Sequence, residues 1–316
     1  MYNLLRIKIQ YLLCIAFIAL QTQNVWASSF WDMDPLAVRK QINQKIMSIN
    51  GNIPTVDSVS DQIVKYENRT TPVRIYTPDN TKNLPVILLI HGGAWVAGNL
   101  DTHDNLARYL CSKADAIVVS VGYLNSPEGK FPLPLEQCYD ALRWIYEHAN
   151  ELRANTSKLA VVGDSAGGNM AAALCLMARD RHGPKIDLQV LINPAADLTG
   201  NGTIERQSDS LDDVRWYAKQ YLSDPKDATN PYVSPSVAAN LSCLPPALIL
   251  LAEKDDLYQA GLKYAERLRC AGVPTKVYTQ LGIGHLAGDG ARASLRAQES
   301  LDVAVATIRD TFLNRK

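Results

Sequence analysis

Four short stretches of this chain carry groups that together could break an acyl bond. Gly163-Asp164-Ser165-Ala166-Gly167-Gly168 follows the apolar run Leu159 to Val162 and runs directly into a helical pattern starting at Asn169. A G-x-S-x-G sequence in this strand-turn-helix setting forces a sharp, strained turn at the serine, and glycines on both sides let neighbouring chain pass without a Cβ clash. The Ser165 hydroxyl is then presented above the sheet, near the positive end of a helix dipole. A serine hydroxyl is a weak nucleophile until a base takes its proton. Histidines stand at 91, 103, 148, 182 and 285. His285 suits the task, because it closes the glycine-rich stretch Leu281-Gly282-Ile283-Gly284-His285 and comes late in the chain, as the order serine, acid, histidine requires. His103, His148 and His182 read as helix-surface residues, and His91 as a brace for the loop it begins.

That loop, His91-Gly92-Gly93-Ala94-Trp95, follows the apolar run Val86 to Ile90. Acyl transfer needs backbone N–H groups aimed at the developing oxyanion, each worth about a hundredfold to a thousandfold in rate. The amides of Gly93 and Ala94, with that of Ala166, are the expected donors, and Gly92 completes the oxyanion-hole set by letting the loop turn inward. The acid that orients the histidine must follow a buried strand between serine and histidine. Asp255 lies a few residues beyond Ala247 to Leu251, with Glu253 and Asp256 close enough to compete. Its task is to hold the imidazole tautomer and stabilise the imidazolium. Such chemistry needs neither metal nor organic cofactor, and none of the cysteine spacings resembles a metal site.

The elements that must hold these groups alternate from about residue 60 onward. Two short strands are expected near Gln62 to Tyr66 and Val73 to Tyr76. Buried strands are expected at Val86 to Ile90, Ala116 to Val121, Leu159 to Val162, Leu188 to Ile192, Ala247 to Leu251 and Thr275 to Tyr278. Helical patterns fall near 103 to 114, 136 to 150, 167 to 181, 257 to 270 and 290 to 313. Continuous apolar runs suit parallel strands covered on both faces. The expected architecture is therefore α/β, a mostly parallel eight-stranded sheet flanked by helices in one catalytic domain over 28–316. Residues 28–58 and 198–240 break the alternation and are read together as a small helical cap. In the second, Leu211, Val214, Tyr217 and Tyr221 form one apolar stripe among Glu205, Arg206, Asp209, Asp212, Asp213, Arg215 and Lys219.

With 32 basic and 32 acidic residues and no basic run, the 316-residue chain offers no nucleic-acid surface, and a small molecule is the expected partner. Arg6 and Lys8 precede an apolar stretch from Tyr11 to Leu20, then a polar step and Val25-Trp26-Ala27. This is the layout of a signal peptide over residues 1–27, cleaved after Ala27 for export to the periplasm or beyond. The alternative is an uncleaved membrane anchor, although a spanning helix needs roughly 20 apolar residues. Cleavage leaves Cys111, Cys138, Cys175, Cys243 and Cys270, an odd number. Cys138 and Cys175 fall on core-facing helix positions, and Cys243 with Cys270 is the pair to test for a disulfide.

The two glycine motifs, in this order and spacing, resemble the bacterial branch of the hormone-sensitive lipase family. Tyr123-Leu124-Asn125-Ser126-Pro127-Glu128 is similar to its Y-R-L-A-P-E, and Asn230-Pro231-Tyr232-Val233-Ser234-Pro235 to its D-P-Y-V-S-P. Its D-P-L pattern aligns with Asp255-Asp256-Leu257 and selects Asp255 as the acid. The resemblance implies an α/β-hydrolase fold with an N-terminal cap, carboxylesterase activity on ester substrates and no cofactor. The chain departs from the family at Leu124, Asn125, Ala94 (a third glycine in the family) and Leu286-Ala287 (Gly-Phe in the family). An amide or formamide hydrolase on the same triad, and a non-catalytic small-molecule receptor of the same fold, are the competing expectations. Oligomerisation into a homo-oligomer is open. The polar cap favours short acyl chains in soluble esters over lipid surfaces.

Overall fold

A computed structural model describes residues 33–48, 54–79, 83–200, 210–285 and 295–314. The expected signal peptide, part of each cap segment and Leu286-Ala287 lie outside these residues. Among the described residues, no helix is long and apolar enough to cross a membrane.

The chain opens with helix α1 (Pro35–Ser48), then strands β1 (Ser58–Tyr66), β2 (Arg69–Thr77) and β3 (Leu84–Ile90). Helix α2 (Asp104–Ala114) leads to β4 (Ile117–Val121), and α3 (Leu133–Glu147) to β5 (Ala154–Asp164). Then come α4 (Ala166–Asp180), β6 (Leu188–Ile192), α5 (Ser210–Tyr221), β7 (Ala247–Ala252), α6 (Tyr258–Cys270), β8 (Thr275–Gln280) and α7 (Leu295–Leu313). The strands form one eight-stranded sheet in the order β1-β2-β4-β3-β5-β6-β7-β8. Pairing is antiparallel from β1 to β2 and from β2 to β4, and parallel elsewhere. The expected α/β architecture is therefore the observed one.

Alternation along each central strand sorts its side chains onto two faces. Val86, Leu88 and Ile90 of β3 pack with α3, α4 and α6 in one core, while Ile87 and Leu89 pack with α2 and α7 in the other. Both faces are covered, which is why Val86 to Ile90 reads as an unbroken apolar run and β4 and β6 carry only one polar residue each, Ser120 and Gln189. The outer hairpin extends further than its sequence suggested. β1 and β2 pair over nine residues from Ser58↔Thr77 to Tyr66↔Arg69, yet on β1 only Val64 is buried. A strand solvated on both faces lacks the hydrophobic alternation that reveals strands. β5 likewise starts at Ala154 rather than Leu159, because its first residues are polar.

The two segments expected to form a cap each supply a helix, and these helices meet. Trp216 of α5 is fully buried against Val38 of α1 and against Val96 and Ala97 of the loop after β3. The apolar face of α5 thus differs from the expected stripe: Trp216 and Tyr221 are buried, whereas Val214 and Tyr217 are only half-buried. Trp216 escaped the pattern because it lies off the Leu211, Val214, Tyr217, Tyr221 spacing, next to Arg215. The cysteines also resolve. Cys111, Cys138 and Cys175 are buried, while Cys243 and Cys270 are exposed free thiols, so the pair singled out from the sequence is not bridged.

Candidate active site

The register of the sheet aligns the strand ends that carry the site. Ile90 of β3 lies opposite Gly163 of β5, and Asp164 opposite Ile192 of β6. The residues that follow β3, β5, β7 and β8 therefore emerge on one carboxyl edge, where α/β folds gather ligands.

Ser165 occupies the turn between β5 and α4 with φ 55° and ψ −118°. This region is costly for any residue with a Cβ and persists only where the surroundings enforce it. They do so here: the Ser165 amide donates to Ile192 O at 2.8 Å, and the glycines around it admit no side chain. A Cβ on Gly163 would lie 2.3 Å from Gly167 O, and one on Gly167 would lie 2.1 Å from Ile90 O. Asn169, one helical turn on, donates to Ala195 O at 2.7 Å and Val233 O at 2.8 Å, so the Asn230 to Pro235 motif is anchored behind the serine.

His285 Nε2 lies 3.0 Å from Ser165 Oγ, and its Nδ1 lies 2.7 Å from Asp255 Oδ2. An ionised carboxylate only accepts, so Nδ1 carries the proton and Nε2 presents a lone pair to the serine hydroxyl. The two supporting loops are zipped together: Lys254 N donates to Ile283 O at 2.9 Å and Gly282 N to Glu253 Oε2 at 2.7 Å. Glu253, a competitor for the acid from sequence, thus braces the histidine loop, and it is Asp255 that reaches the imidazole. Asp255 Oδ1 accepts from Leu257 N at 3.0 Å, so both carboxylate oxygens are engaged. Desolvation of the His285 imidazole, whose side chain is 35% exposed, opposes its charging, but the hydrogen bond and charge of Asp255, with Asp164 and Asp256 beyond, outweigh it. Its pKa lies above the ordinary 6.5.

The loop after β3 adopts left-handed backbone at Gly93 (φ 124°), Ala94 (φ 53°) and Trp95 (φ 60°). The amides of Gly93, Ala94 and Ala166 have no protein acceptor among the described residues. Gly92, expected in the oxyanion-hole set as the residue that lets the loop turn inward, keeps that steric part. Its N–H is already spent on Asp164 Oδ1 at 2.9 Å, and a Cβ there would meet Asp164 Oδ2 at 2.3 Å. Gly92 shapes the hole sterically and does not donate into it. Asp164, the residue before the nucleophile, is thereby the strut between the two motifs.

His103 corrects the sequence reading. It is wholly buried, with Nε2 3.2 Å from Asp164 Oδ1 and Nδ1 2.9 Å from Thr102 Oγ1. It stands at the first turn of α2, turned under the loop, and a single histidine at a helix start has no periodicity to betray its direction. His91 braces the loop as expected: Nδ1–H donates to Gly92 O at 2.8 Å, and the ring stacks on Tyr123 at 4.1 Å. Burial and the nearby His103 hold its pKa down to about 3, so it stays neutral. Tyr123 donates to His91 O at 2.8 Å, and Asn125, where the family has leucine, donates to Gly98 O at 2.9 Å. Of the remaining histidines, His148 is half-buried on Trp144 and His182 is exposed. Among the described residues no group of His, Cys, Asp and Glu could hold a metal ion.

A serine on an enforced elbow, an oriented histidine, and amides with no protein acceptor among the described residues are gathered at one edge of a doubly covered α/β sheet, an arrangement that can carry out nucleophilic acyl transfer. The chain belongs to the alpha/beta hydrolase fold family, whose match spans residues 87–287. It is 35% identical over 254 residues to an arylesterase of Saccharolobus solfataricus, covering 78% of this chain and 82% of that protein. It is 39% identical over 239 residues to a carboxylesterase of Mycobacterium tuberculosis, covering 72% and 74%. Among solved structures, an esterase of Pyrobaculum calidifontis superposes with a TM-score of 0.82 at 34% identity, covering 89% of this chain and 94% of that one. A thermostable carboxylesterase cloned from a metagenomic library gives 0.84 at 32% identity, covering 89% and 98%. These relatives are of the kind the resemblance to the bacterial hormone-sensitive lipases implied.

Proposed function

We propose that this chain is an exported serine carboxylesterase that hydrolyses short-chain acyl esters with Ser165 as nucleophile, His285 as general base and acid, and Asp255 as its orienting carboxylate. The observation that carries the reading is the unbroken line Ser165 Oγ, His285 Nε2, His285 Nδ1, Asp255 Oδ2, at 3.0 and 2.7 Å. His285 takes the hydroxyl proton as Oγ adds to the ester carbonyl. The tetrahedral oxyanion receives N–H bonds from Gly93, Ala94 and Ala166. The intermediate collapses to an acyl-enzyme as His285 returns the proton to the departing alcohol, and water repeats the cycle to release the acid. A receptor would have no use for a strained serine at φ 55° against an oriented histidine, which favours catalysis over the binding-only alternative.

Short acyl chains follow from α5. Of its aromatics Trp216 and Tyr221 are buried and Tyr217 is half-buried, while Arg215 and Lys219 are exposed. An interfacial lid needs a broad outward apolar face. Each added methylene contributes about 0.8 kcal/mol until the pocket is filled. Initial rates on a homologous ester series should peak at a short acyl length and pass smoothly through the substrate's solubility limit. Highest activity on emulsified long-chain triglyceride would overturn the short-chain reading. Failure of a fluorophosphonate to label Ser165 would overturn the esterase reading itself, and faster turnover of an isosteric amide would favour the amidase alternative.

A further inference from the structure

The strained loop that carries Gly93 and Ala94 has to be held by something outside itself. Consecutive left-handed residues at Ala94 and Trp95, neither of them glycine, persist only where neighbouring structure over-determines them. Within the loop, Val96 N and Ala97 N both return to Gly93 O, at 3.1 and 2.8 Å, making one tight internal turn that sets no orientation relative to Ser165. The outward ties of its second half lead to two places. One is the segment Tyr123 to Glu128: Ser126 N donates to Trp95 O at 2.8 Å and Asn125 to Gly98 O. The other is helix α1, which precedes the sheet altogether.

From α1, Arg39 Nε donates to Val96 O at 2.6 Å, two residues beyond Ala94, and Nη2 donates to Ser126 O at 2.7 Å. Its Nη1 reaches Glu128 Oε1 at 2.9 Å, and Nη2 also meets Glu128 Oε2 in a bidentate pair. One turn further along α1, Asn43 Oδ1 accepts from Gly98 N at 2.8 Å. A planar guanidinium with fixed donor directions holds two backbone carbonyls and a carboxylate in one geometry, which an ammonium cannot do. The three partners belong to the oxyanion loop and to the segment that already grips that loop. Apolar packing backs the clamp, with Val38 and Trp216 closing on Val96 and Ala97, and Tyr221 stacked on Trp95 at 5.0 Å.

We propose that Arg39 is a positioning residue for the oxyanion hole: by clamping Val96 O to Ser126 and Glu128 it fixes where the Gly93 and Ala94 amides point, so docking of α1 sets the rate of the chemical step. Arg39 touches no reacting atom and acts through the loop. Its loss leaves ester binding nearly intact and weakens the hydrogen bonds that matter in the transition state. In kinetic terms kcat falls while KM holds. Displacement of preorganised groups by about 1 Å costs up to about a hundredfold, and full removal of one donor about a hundredfold to a thousandfold. A loosened clamp falls in the lower part of that span.

The inference rests on the esterase reading, and the experiment separates the two. Full-length mature protein is compared with Arg39→Met, which keeps the apolar stem, Arg39→Lys, which keeps the charge, and Glu128→Gln, which frees the guanidinium from its carboxylate. For each, kcat and KM on a soluble p-nitrophenyl ester, the inhibition constant of an alkyl trifluoromethyl ketone and the thermal midpoint are measured. The ketone adds to Ser165 and puts an oxyanion in the hole. Arg39→Met should lower kcat by about tenfold to a hundredfold with KM within about twofold, and weaken the ketone by a similar factor. Arg39→Lys should recover part of the loss and Glu128→Gln should show a smaller one of the same kind. If Arg39→Met proves too unstable to assay, the same split in Glu128→Gln decides. An active wild type with kcat and ketone affinity unchanged in Arg39→Met, or a loss confined to KM or to thermal midpoint, overturns the inference. An inactive wild type overturns the esterase reading instead.

Discussion

Replacing Asp255 by asparagine alters one atom of the side chain, and the hydrogen bonds around it dictate the consequence. Oδ1 accepts from Leu257 N at 3.0 Å and Oδ2 from His285 Nδ1 at 2.7 Å. In Asp255→Asn the amide oxygen must face the Leu257 N–H, because the amide NH2 there would set two donors against each other. The NH2 is then turned toward His285 Nδ1, which can accept it only by giving up its own proton. The proton moves to Nε2, and the nitrogen that should receive the Ser165 proton already carries one. The Asp255 side chain is only 3% exposed, so water cannot readily take over the role. The same change of tautomer in a well-studied serine protease costs about 10⁴ in kcat, or about 5.4 kcal/mol. A loss of that order in ester kcat, with Ser165 geometry and folding retained, is the expected result.

The pH profile gives an independent reading of the same pair. The active form has neutral His285, so kcat/KM falls as pH drops through the pKa of the free enzyme. Because Asp255 raises that pKa above 6.5, the acid limb of the wild type should have its midpoint above 6.5, and Asp255→Asn should move it to lower pH. An Asp255→Asn protein within about tenfold of wild type, with an unmoved acid limb, would refute the assigned orientation of the pair.

Gly92→Ala should fold but lose about a hundredfold in kcat, since its Cβ would meet Asp164 Oδ2 at 2.3 Å and Asp164 O at 2.7 Å and push the oxyanion loop off the nucleophile; ester kinetics on the purified variant check it. In protein starting at Ser28, an aromatic disulfide reagent should titrate Cys243 and Cys270 in the native state and Cys111, Cys138 and Cys175 only after unfolding. Burial pushes the buried thiols' pKa values up, that of Cys111 to about 12. Intact-mass measurement of protein from its native source should give a chain beginning at Ser28, and retention of Met1 would favour a membrane anchor.

Much of this molecule is local in the chain and was therefore legible there. A short unbroken apolar run bounded by turn residues, such as Val86 to Ile90 or Ala247 to Leu251, reads as a strand covered on both faces, and each was found within a residue or two of its expected bounds. The elbow at Ser165 is equally local, because the strand, turn, helix and the glycines that relieve them are all adjacent. Legibility faded where burial was incomplete: β1 exposes nearly every residue, and the polar start of β5 carries no pattern.

What only the tertiary structure decided are the contacts made by side chains far apart in sequence. Spacing alone leaves Glu253, Asp255 and Asp256 equivalent; the family resemblance points to Asp255, and the direction in which it leaves the turn after β7 brings it to His285, 30 residues on. The sequence around Gly92 shows only a turn, and that Asp164, 72 residues away, takes its amide is decided by the fold. His103 and Trp216 have no pattern around them that says which way they face, and both are wholly buried. Arg39 reaches Val96 and Ser126 across 57 and 87 residues. A sequence records propensity and periodicity over a few neighbours. The choice of a single hydrogen-bond partner depends on ångström-scale placement of elements whose separation along the chain carries no geometric information, and only packing of the whole domain supplies it.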